Sequence, residues 1–389
     1  MRSAAFLPDV NIPMKKTSFT FALFLFLTVT AHAQLLPQAP TIAAKSWLLL
    51  DYSSGQALAS YNPDERVDPA SITKLMTAYL VFAALKQKTL QPNQVVPISE
   101  RAWKTQGSRM FVEPNKPVTV EQLIHGLIVQ SGNDACVALA EVIAGSEENF
   151  AQMMNREAAR LGLKNTHFVN STGLSDPQHY STARDLGALA AALIHDFPEY
   201  YPIYSTKEYT YNRITQPNRN RLLWLDPTVD GVKTGHTENA GFCLVASGKR
   251  GTRRLLSVVM GTASDGMRAQ ESQKLLNFGF QFFDAVRLYE KNQVVSQLKV
   301  WKGAQNVVKA GFLEDFTLSM PKGMANKLKV TLESKQPLLA PVQQGQRVAT
   351  LKLTLDGKPY GEYPVVALET TPVAGIFGRA WDTTRLWFE

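Results

Sequence analysis

The hydrophobic period of the chain changes once, near Val286, and that change constrains the fold more than any other feature. Before it, strand-like runs alternate with stretches whose apolar residues recur every three to four positions. After it, Val294–Val300, Asn306–Ala310, Phe316–Ser319, Leu328–Glu333, Val348–Leu355 and Tyr363–Ala367 are short strand-like runs broken by Gly, Pro and Lys. Helical periodicity is absent there. The two patterns need separate cores. The expected architecture is a mixed α/β (α+β) domain over residues 34–285, with an antiparallel sheet and a helical part, then a small all-β sandwich or barrel over 286–372. With 389 residues, 45% hydrophobic and 19% charged, the chain has the length and composition for both.

The two ends carry their own signals. Lys15-Lys16, the apolar run from Phe19 to Val29 and Ala31-His32-Ala33 read as a secretory signal peptide over residues 1–33, cleaved before Gln34. An uncleaved anchor is the alternative, although the run is short for a membrane span. Met14 stands directly before the lysines and offers a second start. Over residues 373–389, Ile376, Phe377, Ala380, Trp381, Thr384, Trp387 and Phe388 share one helical face, and Arg379, Asp382, Arg385 and Glu389 another. Such a helix is too short and too charged to span a bilayer but suits its surface, with tryptophans at headgroup level. Docking on the protein itself is the alternative.

The net charge of +8 suits an anionic partner such as a carboxylate, a phospholipid face or an acidic wall polymer. It is too diffuse to indicate nucleic acid, and no nucleic-acid module signature is present. Cys136 and Cys243 are far apart with apolar neighbours, and a disulfide and two buried thiols both fit them. No Cys/His metal spacing occurs, and no cofactor is expected.

The chemistry sits in three short segments. Asp68-Pro69-Ala70-Ser71-Ile72-Thr73-Lys74 reads as the first turn of a helix, with Asp68 as cap, Pro69 at the first position and Leu75, Tyr79 and Phe82 as a buried stripe. Ser71 and Lys74, three residues apart, then share a face. A hydroxyl becomes a nucleophile when a base removes its proton, and a desolvated lysine beside another cation is neutral enough to do so. Thr119 to Gln122 is a capping box opening a helix with Leu123, Leu127 and Ile128 on its apolar face. That helix stops at Ser131-Gly132-Asn133, and Asp134 is expected to cap the next, Ala135 to Ile143. Ser131 and Asn133 thus project from a rigid helix junction. Lys233-Thr234-Gly235-His236 precedes a strand pair, Gly241–Ser247 and Leu255–Met260, so it lies on or beside an antiparallel sheet. Glycine there permits close approach of a ligand backbone. Gly266 to Ala285 reads as a long closing helix.

Ser71-x-x-Lys74, Ser131-Gly132-Asn133 and Lys233-Thr234-Gly235, in that order, form the motif set of class A β-lactamases and penicillin-binding proteins. With Pro69 to Met76, Gln130 to Cys136 and Asp230 to Thr237 around them, the sequence resembles the low-molecular-mass penicillin-binding proteins that act as serine D-alanyl-D-alanine carboxypeptidases, the penicillin-binding protein 5/6 type. The resemblance covers some 350 residues, including the β domain and the tail in kind.

It implies a serine β-lactamase/DD-peptidase-like catalytic fold and the following roles. Ser71 forms an acyl-enzyme with the carbonyl between two terminal D-alanines. Lys74 takes its proton, and Ser131 with Lys233 relays one to the departing amine. Asn133 binds a substrate amide, and the N–H groups of Ser71 and of a residue near His236 form the oxyanion hole. Thr234, Lys233 and an arginine, Arg219 or Arg268, suit the free substrate carboxylate; Gly235 lies beside them, and His236 is a wall residue. The implied substrate is the peptidoglycan pentapeptide, with β-lactams as covalent inhibitors. The implied setting is the periplasm, with peripheral attachment to the inner membrane and a part in peptidoglycan maturation and cell shape. The alternatives are a DD-endopeptidase, a β-lactamase and a non-catalytic wall-binding scaffold. A β-lactamase of class A would need a deacylating glutamate, and no Glu-x-x-Leu-Asn segment exists.

Overall fold

The computed structural model describes residues 37–386. The expected signal peptide, and Trp387, Phe388 and Glu389 of the tail, lie outside the described residues. The run Trp47-Leu48-Leu49-Leu50 is apolar at every position because its strand is covered on both faces. Side chains alternate along a strand: Leu48 and Leu50 join one core cluster and Trp47 and Leu49 another. This strand, β1 (Ser46–Asp51), turns through Ser53-Ser54-Gly55 into β2 (Ala57–Tyr61). Three more strands complete an antiparallel five-stranded sheet: β3 (Val229–Thr237), β4 (Gly241–Arg250) and β5 (Arg253–Thr262), in the order β2-β1-β5-β4-β3. The strand carrying Lys233-Thr234-Gly235 is therefore an edge strand.

Helices cover one face of the sheet. A single 3₁₀ turn, Ala70–Thr73, leads into α1 (Lys74–Lys86), followed by α2 (Val120–Ile128), α3 (Asn133–Ala144), α4 (Glu147–Arg160) and α5 (Ala183–Asp196). The capping box at Thr119 and Gln122 is formed as expected. The expected stripe on α1 is too narrow. Met76, Thr77, Ala78, Leu80 and Val81 are buried along with Leu75, Tyr79 and Phe82, because α2, α3, α4 and α5 surround the helix. Asp134 does not cap α3, whose N-cap is Gly132. Its carboxylate instead accepts the N–H groups of Met110 (2.9 Å), Phe111 (2.8 Å) and Val112 (3.2 Å), tying down the loop of residues 107–112.

The closing helix α6 runs Asp265–Phe282 under a Ser264 cap and covers the other face of the sheet. It ends three residues earlier than expected. The Arg253 guanidinium donates to the carbonyls of Gly279 and Phe283, which satisfies the last turn. The chain then becomes β6 (Phe283–Tyr289), a strand that period alone did not separate from the helix.

Strands β7 (Val294–Trp301), β8 (Val307–Gly311), β9 (Phe316–Pro321), β10 (Leu328–Ser334), β11 (Arg347–Leu355) and β12 (Lys358–Ala367) follow. The order β10-β11-β12-β8-β7 makes one sheet, and β6 pairs with β9. Val300, Val308, Leu318, Leu351, Leu353 and Val365 form their core. Ser319 joins this core to the β1–β2 turn: its N–H donates to Gln56 Oε1 (2.6 Å) and its hydroxyl meets that of Ser54 (2.8 Å). The last helix, α7 (Ile376–Arg385), turns its polar side inward, with Asp382 accepting the Lys302 N–H (2.5 Å) and Arg385 over the Trp301 ring. Ile376, Phe377 and Trp381 stay exposed. Among the described residues no helix is long and apolar enough to cross a membrane.

Candidate active site

The three motif segments meet in one cleft of about 740 Å³. Its floor is the turn that begins α1. Asp68 accepts the Ala70 N–H (2.8 Å) with one carboxylate oxygen, and the hydroxyls of Ser175 (2.6 Å) and Thr237 (3.0 Å) with the other. Ala70, at φ 46°, is held by this contact in the left-handed region that alanine otherwise avoids. The turn thereby places the half-buried Ser71 at the cleft surface. Edge strand β3 can lie against it because Gly235 has no side chain: a Cβ there would stand 3.0 Å from the Pro69 carbonyl oxygen.

Lys74 is fully buried, and its Nζ lies 3.0 Å from Ser71 Oγ, 2.7 Å from Asn133 Oδ1 and 2.6 Å from the Thr172 carbonyl oxygen. Lys233 Nζ donates to Ser131 Oγ (2.9 Å) and contacts its neighbour's carbonyl, Thr234 O (3.2 Å). Neither lysine forms an ion pair with a carboxylate among the described residues. Burial pushes the Lys74 ammonium below the ordinary lysine range, with the Arg219 charge adding to the effect. Burial pushes Lys233 well below that range, with the charges of Lys74 and Arg219 adding to it. A shift in that direction favours the neutral amine, the form that can act as a base.

Ser131 and Asn133 sit where α2 gives way to α3. Ser131 has φ 59°, a strained conformation for a residue with a Cβ, and its neighbours are pinned. The Gly132 N–H donates to Gly126 O (2.9 Å) and the Asn133 N–H to Ser108 O (2.7 Å). Asn133 Nδ2 donates to Gln106 O (2.6 Å), which leaves Oδ1 facing Lys74. Thr234 and Gly235 line the cleft, and His236, exposed, packs its ring on Phe242 as a wall.

The two arginines differ. The Arg268 guanidinium is buried and donates to Gly235 O (3.0 Å) and to Asp265, so it holds β3 to α6. Arg219 makes no hydrogen bond or ion pair with any described residue, yet it lines the cleft. Its backbone is fixed by Asn220, whose Nδ2 donates to Gly231 O (2.9 Å), and by Asn218, whose Nδ2 donates to Thr206 O (3.0 Å). Cys136 and Cys243 are buried free thiols. Burial pushes Cys136 up to about 12 and Cys243 up to about 11, so both stay protonated at neutral pH.

Sequence reasoning missed the third contact of Lys74, the carbonyl of Thr172. A backbone oxygen has no residue signature. The polar run Asn170-Ser171-Thr172-Gly173 was its one trace. Gly173, at φ 82°, is required there, since a Cβ would fall 1.8 Å from Ala70 O.

Comparison with known proteins gives a consistent answer. Residues 33–264 match the family model described as D-alanyl-D-alanine carboxypeptidase, and residues 283–372 that of the penicillin-binding protein 5 C-terminal domain. The chain is 44% identical over 374 residues to the D-alanyl-D-alanine carboxypeptidase DacC of Escherichia coli, covering 94% of both chains. It is 40% identical over 339 residues to DacF of Bacillus subtilis, covering 86% of this chain and 87% of that one. The crystal structure of penicillin-binding protein 5 from Haemophilus influenzae superposes with a TM-score of 0.82 at 43% identity, over 86% of this chain and 99% of that one.

Proposed function

Because the chain belongs to the D-alanyl-D-alanine carboxypeptidase family and is a serine-type enzyme of peptidoglycan metabolism, we propose that the cleft residues divide its reaction as follows. Neutral Lys74 removes the Ser71 proton as Oγ attacks the carbonyl between the two D-alanines. The C–N bond breaks, and the proton that Lys74 took up reaches the departing amine by relay through Ser131 and Lys233. Water then enters, loses a proton to the same bases and releases the shortened peptide from Ser71. The oxyanion formed in both steps points to the N–H groups of Ser71 and His236, where much of the rate gain of acyl transfer originates. Asn133 takes a substrate amide. Thr234 and the uncommitted Arg219 hold the free carboxylate, and Arg268 adds a fixed positive charge behind Gly235. The observation that carries this reading is the 3.0 Å approach of a buried amine without a carboxylate partner to Ser71 Oγ.

The segment before residue 37 directs export to the periplasm. Helix α7 then rests on the inner membrane through Ile376, Phe377 and Trp381, which are 75%, 91% and 67% exposed while the polar side docks on the β domain. Removal of residues 373–389 is expected to leave catalysis intact and to abolish flotation with anionic vesicles; flotation unchanged in the truncated protein excludes this role.

Benzylpenicillin tests the nucleophile. Its strained amide is attacked as the D-alanyl peptide is, and its leaving group stays tethered. Intact-mass spectrometry is expected to find one adduct, absent in Ser71→Ala. An adduct that persists in the alanine variant reassigns the nucleophile. D-alanine release from a pentapeptide ending in D-Ala-D-Ala, measured beside a cross-linked dimer and a chromogenic cephalosporin, separates carboxypeptidase from endopeptidase and β-lactamase action.

A further inference from the structure

A neutral amine has two N–H bonds and one lone pair. At Lys74 the two fixed acceptors, Asn133 Oδ1 at 2.7 Å and Thr172 O at 2.6 Å, suit the N–H bonds, and the lone pair is then left for the Ser71 hydroxyl at 3.0 Å. Of the two acceptors, Asn133 belongs to a motif. The Thr172 carbonyl belongs to a loop, and what fixes that loop fixes the direction of the base.

The loop is clamped at Ser171, whose three polar groups are all engaged. Its N–H donates to Glu147 Oε1 (3.0 Å), its hydroxyl to the same oxygen (2.7 Å), and its carbonyl accepts from Thr77 Oγ1 (2.6 Å). Thr77 is one turn beyond Lys74 on α1. Glu147 is the first residue of α4, 7% exposed, where the helix N-terminus favours a carboxylate. Its second oxygen pairs with Arg101 at 2.7 Å. Asn170 closes the loop from within, its Oδ1 accepting the N–H groups of Thr172 (3.1 Å) and Gly173 (2.7 Å).

We propose that Glu147 is a positioning residue for acylation: through Ser171 it holds the Thr172 carbonyl against Lys74 Nζ and so aims the base at Ser71. This rests on Lys74 being the base, as in the reading above. Glu147 is not among the residues that line the cleft and makes no hydrogen bond to Ser71, and no motif of the chain contains it.

The groups facing Lys74 set the sign of the pH effect. They are Asp134 and Cys136 on α3, Lys233 on β3, Arg219 across the cleft, His179 behind the 3₁₀ turn, and Glu147 on α4. The Glu147 charge favours the ammonium, and so does a carbonyl held against Nζ. Loss of either lowers the Lys74 pKa further. Because the neutral amine is the active form, the acid limb of the rate profile then moves to lower pH.

The test measures the second-order rate constant for benzylpenicillin acylation from pH 4 to 10 in the wild type, Glu147→Ala and Glu147→Gln. The active fraction is counted in each from adduct stoichiometry by intact-mass spectrometry. Per active molecule, Glu147→Ala is expected to lower the plateau roughly ten- to a hundred-fold, the scale of a misaimed catalytic group, and to shift the acid limb to lower pH. Glu147→Gln keeps an oxygen for Ser171 but no charge, and should restore most of the plateau while the shifted limb remains. A plateau and limb in Glu147→Ala equal to the wild type, or a loss wholly explained by inactive molecules, overturns the proposal. A wild type that takes no adduct on Ser71 instead overturns the assignment of the nucleophile.

Discussion

The two lysines of the cleft and the cations of the β domain are handled in opposite ways. Lys74 and Lys233 are 0% and 3% exposed and have no carboxylate partner among the described residues. On the β domain Lys291 pairs with Glu314 (3.0 Å), Arg287 with Asp315 (3.1 Å) and Lys352 with Glu333 (2.7 Å), all on exposed side chains. Paired and solvated, those charges contribute little either way. Buried and unpaired, the cleft lysines oppose folding, and the same desolvation that makes them costly lowers their pKa values, the direction the proposed roles require. In one chain, then, electrostatic cost gathers at the cleft where the proposed reaction takes place.

Removing a cleft lysine should break this contrast most visibly. Lys74→Met is expected to slow benzylpenicillin acylation by about 10²- to 10⁴-fold, the range for loss of a general base. Its stability should report the same burial. A lysine whose folded pKa is lowered binds a proton more readily in the unfolded chain, so its drag on folding is complete below the folded pKa and fades as pH rises toward 10.5. Wild-type stability therefore rises with pH through that window relative to the variant. Urea midpoints of both proteins at pH 7 and pH 10 check it; parallel behaviour would mean that Lys74 is not desolvated.

The next effect concerns the loop rather than the charge. Gly173→Ala places a Cβ against the Ala70 carbonyl at φ 82°, so it is expected to destabilise the fold by about 1–3 kcal/mol. It should also cost acylation by moving the adjacent Thr172 carbonyl. Denaturation and adduct kinetics on one preparation separate the two losses. Wild-type values in both would remove the loop from the account of Lys74.

These loop effects mark where the sequence stopped being readable. Ser71, Lys74, Ser131, Asn133 and Lys233 announce themselves by residue type and spacing, and the folded chain gathers them into two hydrogen-bonded groups at one cleft, Lys74 with Ser71 and Asn133, and Lys233 with Ser131. The change of period near Val286 likewise separated a sheet covered by helices from an all-β core. What stayed hidden were contacts that depend on tertiary placement. Asp134 has the right residue type and position for a helix cap, but the loop at 110–112 offered it three N–H groups and won. Thr172 acts through its carbonyl, which any residue would supply. Arg219 and Arg268 are alike by type, and what distinguishes them is that Asp265 and the carbonyls of Gly235 and Cys243 hold Arg268.

A smaller effect extends the comparison to a buried histidine. His179 lies behind the catalytic turn, where Nδ1 accepts the Val169 N–H (3.2 Å), so Nε2–H donates to Thr73 Oγ1 (2.8 Å). Burial pushes its pKa down to about 4. The stabilisation that depends on the neutral ring is whole above pH 6.5, is lost as pH falls through the window, and changes no further below about 4. The loss amounts to about 3 kcal/mol. His179→Gln is expected to flatten the stability profile between pH 6.5 and 4, and thermal unfolding at half-unit steps checks it. An unchanged slope would assign the acid sensitivity to other groups.

At the far end of the scale stands Lys352, between Glu333 (2.7 Å) and Glu362 (3.7 Å) on neighbouring strands of the β domain. Two carboxylates around one exposed ammonium look like a stronger arrangement than anything in the cleft. Water and salt screen both contacts, and the long side chain loses freedom to hold them. Lys352→Met should leave the unfolding midpoint and the acylation rate unchanged, at low and at high salt alike. If the midpoint instead falls measurably at low salt and recovers at high salt, the β-domain charges form a working network. Burial would then no longer be what divides the two regions.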